Sequence, residues 1–186
     1  MKSNRLALFV TVALAAMAVA GCSGNHASDS VAPIFLTESI TAGVSTVNMA
    51  AGTDVIIPSM TIDSHVKNPD ATGQLSPQND VTLNLWVITP SRVDGGTVAS
   101  PQWRTANITT YVPAGSSATL NNFTIFPAEF FNQPPLNQLF PQNGGIDKET
   151  GNSNIRQRLH IEIFGKTVSG KSVSLAFDND LNFLVQ

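Results

Sequence analysis

Cysteine is almost missing from this chain, and charge is thin. Cys22 is the one cysteine in 186 residues, and Asp, Glu, Lys and Arg together make up 12% of them. No disulfide can therefore form within the chain, and a thiol nucleophile would have to be Cys22 itself. Basic residues number 10 against 13 acidic, a net charge of −3. A basic face for nucleic acid is absent, so no nucleic-acid partner is expected. Lys and Glu are sparse, which leaves few strong helix formers, whereas the β-branched Val, Ile and Thr are plentiful. The uninterrupted apolar stretch from Leu6 to Ala20, broken only by Thr11, falls short of the about 18–20 residues that a spanning helix needs. Several chemical signatures are missing as well. No Gly-x-Ser-x-Gly elbow, His-Glu-x-x-His pair, phosphate loop or dinucleotide fingerprint occurs.

The apolar stretch has a specific context. Lys2 and Arg5 precede it, and it closes on Val19-Ala20-Gly21-Cys22. A basic start, a short apolar core and small residues before a cleavage point read as a secretory signal. The closing four residues resemble the lipobox of bacterial lipoproteins. That resemblance implies acylation of the Cys22 thiol, removal of residues 1–21 and attachment to a lipid bilayer through the acyl chains. Ser23 stands where lipoproteins kept at the inner membrane carry aspartate, which implies the outer membrane in a cell that has one. An acylated Cys22 also removes the thiol nucleophile. Loss of Lys2 and Arg5 leaves the mature chain with a charge of about −5.

Residues 22–33 are small and polar and read as a flexible tether. Residues 34–186 read as one domain, long enough to bury a sizeable core. Strand-length runs alternate there with turn residues: Ile34–Leu36, Val44–Met49, Val55–Val66, Val81–Thr89, Gln102–Val112, Ala118–Phe126, Arg158–Thr167, Lys171–Phe177 and Leu181–Val185. Pro58 predicts an edge or a bulge, and Pro90 the end of its strand. Asn68-Pro69-Asp70, Gly73–Asp80, Asp94-Gly95-Gly96, Pro113-Ala114-Gly115 and Val168-Ser169-Gly170 supply turns. Strict alternation over Val81–Thr89 places Val81, Leu83, Leu85 and Val87 on one face and Thr82, Asn84, Trp86 and Ile88 on the other. Such a series without a βαβ rhythm predicts an all-β chain: a single antiparallel sandwich of about seven to nine strands with one long loop. The stretch Leu159-His160-Ile161-Glu162-Ile163-Phe164-Gly165 through Gly170-Lys171-Ser172-Val173 resembles the last strand pair of bacterial immunoglobulin-like or fibronectin-like modules. The resemblance covers about 30 residues and implies an immunoglobulin-like sandwich, without the Cys–Trp–Cys signature of antibody domains.

Candidate chemistry is dispersed. His26 falls in the tether, and His65 and His160 fit surface or hydrogen-bonded structural roles better than those of base or ligand. Glu129, Glu162, Asp63 and Asp80 are not paired in sequence, as a two-carboxylate glycosidase would require once folded. Asp178-Asn179-Asp180 could lend oxygens to Ca²⁺, but reads more simply as an Asx turn, so Asp178 and Asp180 are only weak metal candidates. No cofactor is expected. Pro127–Asn154 is the unusual stretch, mixing Phe130, Phe131, Leu136, Leu139 and Phe140 with prolines and amides. Connections of that length are often functional. Its apolar residues either close one end of the sandwich, with a helical turn near Ala128–Phe131, or face a partner. Trp86, Trp103 and Tyr111 offer flat faces for sugar stacking, Trp86 more so because it falls on the more polar face of its strand. These features predict a non-enzymatic, membrane-anchored envelope protein that binds or assembles with a protein partner. The alternatives are a carbohydrate-binding module and a hydrolase with a dispersed site.

Overall fold

The computed structural model describes residues 31–40, 44–68, 76–106 and 108–186. The leader, Cys22, His26, the tether before Val31 and the Pro69–Asp70 turn lie outside the described residues. Nine strands occur among those described: β1 (Ile34–Ile40), β2 (Thr46–Asn48), β3 (Val55–Val66), β4 (Val81–Arg92), β5 (Trp103–Thr105), β6 (Thr110–Val112), β7 (Ser117–Phe126), β8 (Asn154–Thr167) and β9 (Ser172–Leu184). They form two facing sheets, one ordered β1-β3-β7 and the other β2-β9-β8-β4-β5, with β6 also pairing β4. Every pairing is antiparallel except β2 with β9, which is parallel. The chain is an all-β sandwich.

Alternation builds the larger sheet. In β8, Ile155, Leu159, Ile161 and Ile163 turn inward, while Arg156, Arg158, His160 and Lys166 turn out. Opposite them, Ile57, Met60 and Ile62 of β3 and Phe123 and Ile125 of β7 complete the core. The Val168-Ser169-Gly170 turn joins β8 to β9, with Gly170 at φ +83° where a side chain would be strained. Glu38 points inward from the edge strand β1, and its Oε2 has no hydrogen-bond partner among the described residues. Burial pushes its carboxyl up, against a smaller pull from its own backbone. An inward charge of this kind discourages a second sheet from pairing with the edge.

Strand β4 departs from the alternation expected of it. Its register against β8 shifts between Leu83 and Leu85. The extra residue, Asn84, is exposed, and side chains after it exchange faces. Trp86, Ile88 and Pro90 therefore join Val81 and Leu83 in the core rather than facing out. Trp86 is 0% exposed, with its ring centroid 4.3 Å from that of Phe123. The same irregularity divides the strand expected over Gln102–Val112. β6 pairs with Val81–Leu83, β5 pairs with Trp86–Ile88, and Ala106, Ile108 and Thr109 between them stand outside the ladder. That gap frees the Ile108 carbonyl, which accepts the Trp86 indole N–H at 3.3 Å.

Two prolines are accommodated at unpaired strand borders. Pro90 does not end β4, which runs on to Arg92; β5 covers β4 only as far as Ile88, so a missing N–H there breaks no ladder. Pro58 lies beyond the last β1 partner of β3, Met60, and so at a local edge as expected. Near the C-terminus, Lys171–Phe177 and Leu181–Val185 merge into one strand. Asp178-Asn179-Asp180 is thus extended backbone in mid-β9 and not a turn, because it pairs in register with His160, Leu159 and Arg158.

Burial of Trp86 yields a direct test. Trp86→Ala should cost about 3–5 kcal/mol in urea unfolding, through the cavity it leaves. Trp86→Phe should cost less, about 1–3 kcal/mol, chiefly because the Ile108 carbonyl loses its donor.

Candidate functional site

At the end of β4, a guanidinium is enclosed by carboxylates. The Arg92 side chain is 2% exposed. Its Nε lies 2.7 Å from Asp94 Oδ1, its Nη2 2.7 Å from Asp147 Oδ2, and its Nη1 3.5 Å from Glu149 Oε2. Asp94 is placed by the turn that follows β4 and also accepts the backbone N–H of Gly96 and of Arg156. Gly96 is required by close approach: a Cβ there would fall 2.3 Å from Arg92 Cζ. Asp147 accepts the Thr150 hydroxyl at 2.7 Å and the Thr150 N–H at 3.2 Å. Glu149 accepts the Thr97 N–H and hydroxyl and the Val98 N–H. Burial pushes the Asp94 and Asp147 carboxyls up, yet the Arg92 guanidinium and the hydrogen bonds outweigh it and hold both below the usual range. These groups are satisfied by one another, and their effect is to bind Thr97 and Val98 and the Asp147–Gly151 loop to the end of β4.

Beside this cluster the long Pro127–Asn154 stretch closes the sandwich. A 3₁₀ turn at Ala128–Asn132 buries Phe130 and Phe131 against Phe126 and Phe183, with centroids 5.6 to 6.2 Å apart. Leu136 and Leu139 follow them into the core. Phe130 and Phe131 are thus fillers of the core and present no surface to a partner. Trp86 is withdrawn from solvent in the same way and cannot stack on a sugar. Trp103 is half-buried and donates its indole N–H to the Ile125 carbonyl at 3.1 Å, tying the edge strand β5 to the opposite sheet.

The carboxylates weighed as metal or catalytic groups are engaged elsewhere. Asp180 accepts Arg158 Nε at 2.7 Å and Nη2 at 3.0 Å, and this hydrogen bonding holds it below the usual range. Asp178 lies 2.7 Å from His160 Nδ1 across β8 and β9. Both are exposed cross-strand pairs, the ordinary device of a sheet surface, and Asn179 turns the other way to donate to the Val44 carbonyl. His65 stacks on Phe35 and meets the Thr37 hydroxyl. Asp63, Glu129 and Glu162 stand on three different elements, β3, the 3₁₀ turn and β8. Among the described residues, no group of three His, Asp or Glu side chains could hold a metal ion.

The outer face of the larger sheet is less committed. Register aligns Tyr111, Thr82, Lys166 and Ser172 across β6, β4, β8 and β9. The next row carries Leu85, Phe164 and Ser174. Between the rows runs an open groove of about 430 Å³, at the bulge in β4. Gly165 allows the two strands to close behind it, since a Cβ there would fall 2.3 Å from the Thr82 carbonyl oxygen. The Tyr111 hydroxyl donates to Asp80, which also accepts the Ala114 N–H at 2.8 Å. These two bonds hold the Asp80 carboxyl low, while the Asp80 contact pushes the Tyr111 phenol up. No family model matches the chain, and no curated protein matches it.

The ion cluster has a pH signature. Its depressed carboxyls stabilise the fold fully above the ordinary carboxylate range, and that contribution is lost as pH falls through their lowered values. Arg92→Met should destabilise by about 3–5 kcal/mol at neutral pH, because the buried charges lose their partner. It should also reverse the slope, so that the variant gains stability as pH is lowered toward the carboxylate range. Urea titrations across pH would read both effects.

Proposed function

We propose that this chain is a lipid-anchored protein of the bacterial cell envelope, held in the bilayer through acylated Cys22, whose β-sandwich binds a protein partner or assembles with one and performs no catalysis. The observation that carries this reading is the order basic start, short apolar core, Val19-Ala20-Gly21-Cys22, in a chain with no other cysteine. A free thiol in an exported protein is a liability that acylation removes. Each acyl CH₂ contributes about 0.8 kcal/mol on burial, so two or three long chains give lasting attachment. Ser23 favours the outer membrane where one exists.

Several acids and histidines that the sequence offers as reactive groups have structural partners among the described residues. The buried acids Asp94 and Asp147 hold loops, and His160 and Asp178 complete a strand pair. The mature charge of about −5 speaks against nucleic acid as the partner.

Metabolic labelling with a palmitate analogue should mark the wild type and leave Cys22→Ser unmarked and displaced from the membrane fraction. A wild type that stays unlabelled would overturn the anchor. Affinity purification of the full chain at native expression should recover one stable envelope protein; repeated recovery of none would overturn the partner.

A further inference from the structure

We propose that the groove at the β4 bulge binds a saccharide bearing a carboxylate. The site goes beyond the protein partner proposed above and does not depend on the lipid, so glycan binding and acylation can fail separately.

Four features of the groove point to this chemistry. Its volume of about 430 Å³ falls within the roughly 300–1,000 Å³ of small-ligand sites. Tyr111 stands at the margin of the groove and not in its lining, paired across the sheet with Thr82 of the lining; it is 53% exposed, and its hydroxyl is pinned by Asp80. A ring fixed in this way loses little freedom when a ligand stacks on it, and the apolar C–H face of a pyranose suits such a surface. Phe164 and Leu85 add a half-buried apolar floor. Around that floor stand the Asn84 amide and the Thr82 and Ser172 hydroxyls, which can donate to or accept from ring hydroxyls.

Lys166 supplies the charge preference. Its side chain is exposed, lies between Thr82 and Ser172 in the row, and forms no ion pair among the described residues. The carboxylate at this end of the sheet, Asp80, is already taken by Tyr111 and Ala114. Lys171, just past the Val168-Ser169-Gly170 turn, adds a second exposed cation. An ammonium left without a counter-charge on an acidic protein favours an anionic group on the ligand. The bulge is what makes the site: bulges redirect side chains at sheet surfaces, and this one raises Asn84 beside a depression closed by Gly165.

The test uses the full chain in detergent, applied to an array of uronic-acid-bearing, sialic-acid-bearing and neutral oligosaccharides, followed by calorimetry on the best of them. Carboxylate-bearing glycans should be retained. Lys166→Met should weaken them at least tenfold while leaving neutral ones unchanged, and Tyr111→Ala, at the margin of the groove, should weaken all of them where Tyr111→Phe, which keeps the ring, retains binding. Should Tyr111→Ala fail to fold, Lys166→Met still decides, because its side chain is exposed and makes no ion pair among the described residues. Retention of no acidic glycan, or wild-type affinity in Lys166→Met, would overturn the site.

Discussion

Strand β4 runs through the larger sheet with partners on both sides, and one inserted residue between Leu83 and Leu85 decides which of its side chains meet the opposite sheet. Before the insertion, Val81 and Leu83 face inward; after it, Trp86, Ile88 and Pro90 do. A regular strand would have put the largest side chain of the core into water and Leu85 in its place. The displaced backbone also opens the gap between β5 and β6, from which Ile108 offers its carbonyl to the indole. A buried tryptophan requires such an acceptor, because an unpaired indole N–H in an apolar core costs on the order of 1–3 kcal/mol. Packing inside and the groove outside therefore have a common origin.

The far end of β4 depends on a different interaction. Arg92 is the last residue of the strand, and its buried guanidinium gathers acids from two separate loops. Burial of one cation is tolerated because several of its hydrogens find acceptors: Asp94, Asp147 and the Val98 carbonyl. The result is a long connection that is held at both ends, the aromatic turn by Phe126 and Phe183 and the polar turn by Arg92. Gln157 extends the same logic inside the sheet, where its fully buried amide exchanges hydrogen bonds with Ser100.

Much of this architecture was legible in residue order. Alternation in Arg158–Thr167, the Gly170 turn and the Pro113-Ala114-Gly115 turn each carry a local signal, and the strands lie where those signals place them. The bulge carried none: Asn84 is a polar residue in a polar position, so alternation reads straight through it and assigns Trp86 to the wrong face. Asp178-Asn179-Asp180 misled for a related reason. Asx residues favour turns locally, but cross-strand partners 18 to 22 residues earlier hold them extended. Arg92 could not be read as buried, since its burial depends on Asp147, 55 residues away. The groove was equally hidden: Tyr111 could be noted as a flat face, but register, and not spacing, sets it beside Thr82, Lys166 and Ser172.

Strand β1 opens the sandwich, and Pro33, just before it, accepts the Lys67 N–H at 2.9 Å. From Ile34 onward every residue of β1 is paired with β3, through to Ile40 opposite Met60. A pull on the preceding chain along the strand axis would thus meet all of these pairs in shear at once. They would not separate in succession, as the two arms of a peeled hairpin do. Load applied through the first strand would therefore be shared by the whole β1–β3 ladder.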